Sequence, residues 1–284
     1  MIVVTAATGQ LGRLVVEGLL AKVPASEIAV AVRAPEKAAE WAAKGVEVRV
    51  ADYGRPETLT DAFRAGDKVL LISGNEVGQR APQHLAVLAA AKAAGVALFA
   101  YTSVLGGEEA GFRLADEHKA TEAAIRESGL PFVLLRNGWY TENYTGDLAG
   151  TVERGGPVGS SGEGRVASAA RVDYADAAVA VLTGEGHEDK AYELAGDIAW
   201  TFDEFAAELA AQSGRPVAFR NVGADEHLQA LLAAGLPQGF AEILVDVDAG
   251  IVRGELAHSN GDLARLIGRP TTPLAETVKA ALQG

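Results

Sequence analysis

The first twelve residues of the chain contain an apolar strand, a turn of small residues and the start of a helix. The strand covers residues 2–4, and the helical pattern begins at Leu11, with further apolar positions at 15, 16, 19 and 20. Such a turn lets backbone N–H groups and the positive helix N-terminus face a pyrophosphate, which bulky side chains would prevent. The arrangement therefore predicts the opening unit of a dinucleotide-binding fold.

The turn has small residues at positions 6, 9 and 12, of which only Gly9 and Gly12 are glycines. This three-residue spacing departs from the common dinucleotide fingerprint. Ala6 leaves two alternatives: its methyl group crowds the turn, or it is tolerated because φ at this position is negative. We expect the turn to contact a cofactor through its consecutive residues Ala6, Ala7, Thr8, Gly9, Gln10 and Leu11.

Apolar runs alternate with helical patterns along the first half of the chain. Strands are predicted at residues 28–32, 46–50, 69–72, 98–101 and 132–136. Helices are predicted at residues 35–44, 56–63 and 115–128, with an alanine-rich helix that ends before Gly95. Six consecutive units of this kind predict an α/β fold with a doubly wound parallel sheet.

The character of the chain changes after about residue 145. Residues 146–166 are rich in Gly, Ser and charged side chains, which indicates an exposed excursion. We therefore expect an NAD(P)-binding Rossmann domain over residues 1–145. Residues 146–284 are expected to return partly to the sheet and to form a smaller substrate lobe. The two segments with a pattern suited to that return are a helix at 173–182 and a strand at 191–194.

Composition and charge exclude several classes of function. The formal net charge is −13 without a Lys/Arg cluster, which opposes the phosphate backbone of a nucleic acid. The chain has no cysteine, which removes disulfides, thiolate catalysis and cysteine-based metal sites. No His/Asp/Glu spacing is typical of a metal site either.

The sequence also predicts where the protein works. No stretch approaches the roughly 20 apolar residues of a membrane span, and the N-terminus lacks a signal-peptide pattern. We expect a cytoplasmic protein without a membrane or nucleic-acid partner. The oligomeric state stays open, with a homodimer as one alternative.

Arg33 follows the second strand, at the position where a nicotinamide domain selects its cofactor. An acidic residue there accepts a hydrogen bond from the ribose 2′-OH of NAD, whereas an arginine favours the 2′-phosphate of NADP. The first acidic residue after the strand is Glu36, and Lys37 adds a second cation. The position thus favours NADPH as cofactor, with a solvated arginine at a strand end as the alternative.

Two further segments follow strands at the same edge of the predicted sheet. Asp52 either accepts from the adenine amino group or caps the helix that Pro56 begins. Ser73, Gly74 and Asn75 follow the fourth strand, where the loop must pass the ribose and phosphates of a cofactor. Gly74 would permit a close backbone approach, although a plain turn explains the same residues.

The segment after the sixth strand is dense in aromatic and amide side chains. Aromatic walls with a few polar groups suit a nicotinamide ring or a planar substrate, whereas packing between the lobes is the alternative. Tyr140 and Asn143 are the candidates for orienting an acceptor whose carbonyl oxygen gains charge during hydride transfer. The expected cofactor-lining residues are Asn137, Gly138, Trp139, Tyr140, Thr141 and Glu142.

The tyrosine–lysine pair of standard short-chain dehydrogenases, four residues apart, is absent. Lys119 lies on the expected helix, but the residue four positions earlier is Ala115. The standard alcohol-dehydrogenase mechanism is therefore not supported. His118 could donate a proton, but we interpret it as a solvated surface side chain; Gln83 and His84 are weaker candidates of the same kind.

Together these motifs resemble the NmrA-like atypical short-chain dehydrogenase/reductases, and within them the type 2 NAD(P)H:quinone oxidoreductases. The resemblance covers nearly the whole chain and rests on residues 8–12, 51–53, 76–80, 117–118, 134–144, 192–197 and 266–274. It implies an NADPH-binding Rossmann domain and a small lobe that covers a cleft for quinone-like acceptors. The missing tyrosine–lysine pair is a trait of this family.

We expect an NADPH-dependent reductase that passes a hydride to a quinone-like acceptor without a flavin. One alternative is a non-catalytic NADP(H) sensor that acts through a protein partner. Another is a reductase of a different activated double bond, such as that of an azo dye.

Overall fold

Residues 1–283 are described by a computed structural model. In chain order the strands are β1 (Ile2–Thr5), β2 (Ile28–Val32), β3 (Glu47–Val50), β4 (Lys68–Leu71), β5 (Leu98–Val104), β6 (Phe132–Asn137), β7 (Val158–Gly159), β8 (Arg165–Val166), β9 (Lys190–Leu194), β10 (Trp200–Thr201) and β11 (Arg220–Asn221). Seven of them form one sheet in the order β3-β2-β1-β4-β5-β6-β9. Every neighbouring pair in this sheet is parallel, as predicted.

Helices connect the strands and build the rest of the molecule. They are α1 (Gln10–Leu20), α2 (Ala39–Ala42), α3 (Arg80–Ala94), α4 (Asp116–Glu127), α5 (Glu142–Thr145), α6 (Leu148–Glu153), α7 (Arg171–Thr183), α8 (Phe202–Ser213), α9 (Ala224–Ala233), α10 (Gln238–Val252), α11 (Asp262–Ile267) and α12 (Leu274–Gln283). None of the helices within residues 1–283 is long and apolar enough to cross a membrane.

Both faces of the large sheet are covered, which explains its continuous apolar strands. Successive residues of β1, such as Val3 and Val4, belong to different apolar clusters on the two faces. One cluster includes Val15 of α1 and Ala178 of α7, and the other includes Val87 of α3 and the apolar side of α4. The doubly wound α/β fold is thus confirmed, including the predicted return of a late helix and strand to the sheet.

A third apolar cluster joins residues around and after β7 to the end of β5, at Val104, and to Phe112. We call the residues of this cluster and the helices packed on it the smaller lobe; a domain boundary at residue 145 stays a prediction. Tyr144 packs edge to face with Trp200 and Phe202 and tilted against Phe205. Phe202 packs edge to face with Trp200 and Phe205, which are tilted against each other. The predicted exposed excursion over residues 146–166 is only partly right, because its apolar side chains Leu148, Val152 and Val166 are buried in this cluster.

Two predicted helices are shorter than expected. The 35–44 segment is a 3₁₀ turn (Pro35–Ala38) followed by the single turn of α2, and the 56–63 segment contains only a 3₁₀ turn (Pro56–Leu59). Each segment spans a short connection and buries few large side chains, Trp41 in the first and Leu59 and Phe63 in the second. A full amphipathic helix needs a longer apolar stripe than these connections contain.

Candidate cofactor and acceptor site

The candidate residues lie along the carboxyl edge of the large sheet. They follow β1, β2, β3, β4 and β6, and the sheet order reverses between β1 and β4. Open α/β sheets bind ligands in the crevice at such a reversal. The turn after β1 and the loop after β4 therefore flank the expected binding crevice.

The turn after β1 is left-handed at Ala6, where φ is 47°. The alternative of a negative φ at this position is wrong, and Ala6 occupies a conformation that favours glycine. A Cβ on Gly12 would lie 2.6 Å from the carbonyl oxygen of Ala6 and 2.6 Å from Cα of Ala7. Glycine at position 12 thus lets α1 start directly against the turn.

The first turn of α1 is open to an anion. Its N-cap, Gly9, makes no side-chain capping bond, and no acidic residue lies in the first turn. Free N–H groups at the start of a helix are a suitable site for a phosphate. The side chains of Ala7 and Leu11 are buried in the core, Thr8 is half-buried and Gln10 is exposed. Ala7 and Leu11 can therefore offer only backbone groups to a ligand.

Arg33 lies directly after β2, with 70% of its side chain exposed. Its Nη1 is 3.8 Å from Oε1 of Glu76, which belongs to the loop after β4. The other carboxylate oxygen of Glu76 accepts a bond of 2.8 Å from Nε2 of Gln83. Gln83 is thus occupied in bracing the loop, and Arg33 lies exposed at the carboxyl edge of the sheet, facing that loop.

Asp52 turns the chain after β3. Its Oδ1 accepts a hydrogen bond of 3.0 Å from the backbone N–H of Gly54. The alternative that Asp52 caps a helix is wrong, because the 3₁₀ turn at Pro56 starts from Arg55 and has no side-chain cap. The half-buried carboxylate stays at the carboxyl edge of the sheet, and an adenine contact remains a prediction.

Tyr53 is a residue of this edge whose position the sequence analysis missed. Its hydroxyl contacts Oγ1 of Thr5 and donates to the carbonyl oxygen of Ile72. It joins the ends of β1, β3 and β4, the strands that border the crevice. Burial raises the pKa of the Tyr53 phenol, so it stays protonated at neutral pH.

The loop after β4 is fixed by side chains beneath it. Gly74 donates its backbone N–H to Nε2 of His84 at 2.9 Å, and its carbonyl oxygen accepts from Nε of Arg80 at 2.6 Å. Ser73 donates its backbone N–H to Oγ1 of Thr102 at 2.9 Å. Asn75 is exposed. The structure therefore brings the loop to the crevice with a defined backbone conformation.

His118 is not a surface side chain, which corrects the interpretation from the sequence. It is 6% exposed, and its Nδ1 lies 2.7 Å from the hydroxyl of Tyr101, which also faces Nδ1 of the fully buried His84. Burial, together with the nearby Arg80 charge, lowers the pKa of His84 to about 4 and that of His118 to about 3. Both imidazoles are neutral at pH 7 and brace the protein interior.

Asn137 ends β6 with its amide almost completely buried. Its Nδ2 donates to the hydroxyl of Tyr140 at 3.3 Å, whereas Oδ1 has no hydrogen-bond partner among residues 1–283. A buried polar atom without a partner is costly, so this oxygen fits a ligand that donates a hydrogen bond. The guanidinium of Arg171 lies over the Tyr140 ring, 5.0 Å from its centroid. Arg171 is a second residue that the sequence analysis did not find.

The remaining side chains of this segment brace the backbone. Thr141 is buried and its hydroxyl pairs with that of Ser168 at 2.8 Å. Both carboxylate oxygens of Glu142 accept from the backbone N–H of Arg171, at 2.8 and 2.9 Å, and so cap α7. Trp139 packs partly buried against the apolar cluster of the smaller lobe. This packing agrees with the alternative of a contact between the lobes.

Two predicted residues differ in what they offer a ligand. A Cβ on Gly138 would lie 3.0 Å from the carbonyl oxygen of Leu194, so the segment passes close to β9. Asn143 is exposed, and its side chain makes no hydrogen bond within residues 1–283. Asn137 and Tyr140 are thus brought together by the structure, while Asn143 lies outside their hydrogen-bond network.

The described residues also contain no group of three or more His, Asp or Glu side chains that could hold a metal ion.

Comparisons with known proteins show which family the chain belongs to. An NAD(P)H-binding family model matches residues 6–185. Quinone oxidoreductase 2 of Escherichia coli (strain K12) is 51% identical over 278 residues, covering 98% of this chain and 97% of the relative. The crystal structure of the E. coli NADPH-dependent quinone oxidoreductase QOR2 with NADPH superimposes with a TM-score of 0.96 at 50% identity, covering 99% of this chain and all of that one.

A relative with a different acceptor superimposes nearly as well. The Citrobacter sp. triphenylmethane reductase complexed with NADP(H) has a TM-score of 0.95 at 45% identity, covering 99% of this chain and all of the other. The resemblance read from the sequence motifs is confirmed by these matches. The chain belongs to the NAD(P)H-binding family that includes these reductases.

Proposed function

We propose that the protein is an NADPH-dependent reductase that transfers a hydride directly to a quinone-like acceptor without a flavin. The observation that supports it best is the uncapped first turn of α1, which Gly12 lets pack directly against the turn at Ala6 and Ala7. This geometry suits a pyrophosphate. The 51% identity to quinone oxidoreductase 2 over almost the whole chain supports the same activity.

The residues at the carboxyl edge fit NADPH. We assign residues 6–11 to the pyrophosphate, Arg33 to the 2′-phosphate, Asp52 to the adenine side and residues 73–75 to the ribose and phosphates. Residues 137–142 would line the nicotinamide, with Oδ1 of Asn137 as acceptor for its carboxamide. The bound cofactor supplies the hydride.

The acceptor needs little help from the protein. A quinone is electrophilic enough to take a hydride, and its oxyanion can take a proton from water, so a dedicated tyrosine–lysine acid is dispensable. We propose Tyr140 and Asn143 as the groups that orient the acceptor. The Tyr140 phenol is a hydrogen-bond donor at neutral pH because burial raises its pKa. The nearby Arg171 cation favours negative charge that develops beside Tyr140.

A reductase of another activated double bond is the second candidate. The 45% identity to a triphenylmethane reductase supports it, because two different acceptors are named among the relatives of one fold. A non-catalytic sensor has less support, since these similar proteins are named as reductases.

Steady-state kinetics with Tyr140→Phe test the assignment. NADPH oxidation is followed with a panel of quinones and with a triarylmethane dye. Loss of the phenol hydroxyl should lower kcat with quinones about tenfold or more while the Kd for NADPH stays within about twofold. If the wild-type protein binds NADPH detectably but reduces none of these acceptors, the assignment as an enzyme is contradicted and the sensor is favoured. An unchanged kcat would remove Tyr140 from the acceptor site.

A further inference from the structure

The carboxylate of Glu76 lies opposite Arg33 at the carboxyl edge of the sheet. Its Oε1 is 3.8 Å from Nη1 of Arg33, and its Oε2 is held at 2.8 Å by Nε2 of Gln83 from α3. Within residues 1–283 Arg33 forms no second ion pair. The cation assigned to the 2′-phosphate of NADPH is therefore paired with an acidic side chain from another loop.

The position of Glu76 is fixed from both sides of the loop. On one side Gly74 is bound by His84 and Arg80. On the other side the carboxylate of Glu117 accepts from the backbone N–H of Gly78 at 2.8 Å and of Ala81 at 3.2 Å. Residue 76 lies between these anchors, and Gln83 orients its carboxylate. The acidic group is thus held near Arg33 by the fold.

We propose that Glu76 is a specificity-determining residue that opposes the 2′-phosphate and moderates the preference for NADPH over NADH. The inference rests on the proposed assignment of Arg33 to the 2′-phosphate. A 2′-phosphate must replace Glu76 as the partner of Arg33 and then remain close to the negative carboxylate of Glu76. NADH has a 2′-hydroxyl instead, which can donate a hydrogen bond to a carboxylate, as it does to the acidic residue of NAD-binding domains.

The exposure of Arg33 and Glu76 sets how much the Glu76 charge can change the affinity for NADPH. The side chains of Arg33 and Glu76 are 70% and 53% exposed, so water and salt screen their charges. Removing one charge from such a site changes the affinity for a phosphate by about threefold to tenfold. The effect should shrink as the ionic strength rises.

Binding titrations of Glu76→Gln test the inference. The quenching or enhancement of cofactor fluorescence gives the Kd values for NADPH and NADH without any acceptor. We expect NADPH to bind about threefold to tenfold more tightly, with NADH unchanged or weaker. The matched control is Glu226→Gln, which removes one carboxylate from the exposed Arg220–Glu226 pair of the smaller lobe. The control should change neither Kd, and circular dichroism verifies that both variants fold.

The outcomes separate the inference from the proposed function. An equal change in both Kd values, or no change in either, overturns the role of Glu76. If Arg33→Gln lowers NADPH affinity selectively while Glu76→Gln has no selective effect, the 2′-phosphate site stands and Glu76 is excluded from it. If Arg33→Gln has no selective effect, the assignment of Arg33 fails and the inference falls with it. Because no acceptor is present, a failure of quinone reduction leaves these readouts intact.

Discussion

The backbone N–H of Gly74 donates to Nε2 of His84 at 2.9 Å, which fixes the protonation state of a buried imidazole. Because Nε2 accepts this bond, the proton of neutral His84 is on Nδ1, which faces Oγ1 of Thr121 at 3.1 Å. A second proton would have to enter at Nε2 and would break the bond to Gly74. The loop that borders the crevice is thus tied to the neutral form of His84.

Protonation of His84 should lower both stability and cofactor affinity in acid. The folded pKa of about 4 lies below the ordinary value of 6.5, so the unfolded state binds more protons between these values. The stability from neutral His84 is full above about pH 6.5 and is lost as the pH falls towards 4. Chemical unfolding at several pH values measures this loss, which we expect to reach about 2 to 3 kcal/mol.

The comparison of two histidine variants isolates this effect. His84→Gln replaces the titrating group by an amide that can still accept from Gly74, so the acid-dependent loss should become smaller. His258→Gln makes the same substitution at an exposed histidine and serves as the matched control. Identical profiles for wild type and His84→Gln would contradict the role of His84.

Ala6→Gly should stabilise the protein. Alanine at φ 47° is strained by about 1 to 2 kcal/mol, and glycine removes this strain at the cost of a more flexible unfolded chain. We expect a net gain of up to about 1 kcal/mol in the free energy of unfolding and unchanged or tighter NADPH binding.

Ala7→Gly is the matched control for this change. Ala7 is fully buried and does not have a positive φ, so the same substitution should destabilise by about 1 kcal/mol. The opposite signs follow from the left-handed conformation at residue 6 and from the burial of Ala7 at an ordinary φ. Destabilisation by both would contradict the strain at Ala6.

Glu122→Ala should be among the most damaging single substitutions outside the crevice. Glu122 is 1% exposed, and its carboxylate accepts from Arg136 at 2.6 and 3.0 Å and from the hydroxyl of Ser103 at 2.6 Å. Its removal leaves Arg136 with only Glu193 as a partner, at 2.7 Å. We expect a loss of about 3 kcal/mol or more in urea unfolding. The exposed Glu226→Ala should cost less than about 1 kcal/mol; similar losses would contradict the buried network.

Arg33→Glu should weaken NADPH far more than NADH. The change replaces an attraction for the 2′-phosphate by a repulsion, and we expect the ratio of the two Kd values to shift by about 10- to 100-fold. Arg220→Glu makes the same charge change at an exposed site in the smaller lobe and serves as control. Equal losses for both cofactors would remove Arg33 from the 2′-phosphate site.

The sequence predicted the sheet and the loops of the site because buried parallel strands need continuous apolar runs. The turn with Gly9 and Gly12, the position of Arg33 and the loop 73–75 all follow from the ends of such strands. Pairwise side-chain relations are not visible in these patterns. The contact of Arg33 with Glu76 and that of Arg171 with Tyr140 each depend on how distant segments meet.

His118 and Ala6 show a second reason why the structure differs from what the sequence predicts. A histidine in a polar helix pattern is usually solvated, but His118 faces Tyr101 inside the protein, and only tertiary packing decides this. At Ala6 the sequence left two alternatives, a methyl group that crowds the turn or an alanine that is tolerated because φ is negative. The close packing of Gly12, in the first turn of α1, against Ala6 and Ala7 accompanies the left-handed conformation at Ala6, and neither is deducible from residue types alone.

The measurement that tests direct hydride transfer most closely is a single-turnover reaction of flavin-free protein with NADPH deuterated at the transferred position. We predict stoichiometric reduction of a quinone by the purified protein alone, slowed about twofold or more by deuterium if hydride transfer limits the rate. Added flavin should not accelerate it. Quinone reduction that occurs only after flavin is added would contradict the account.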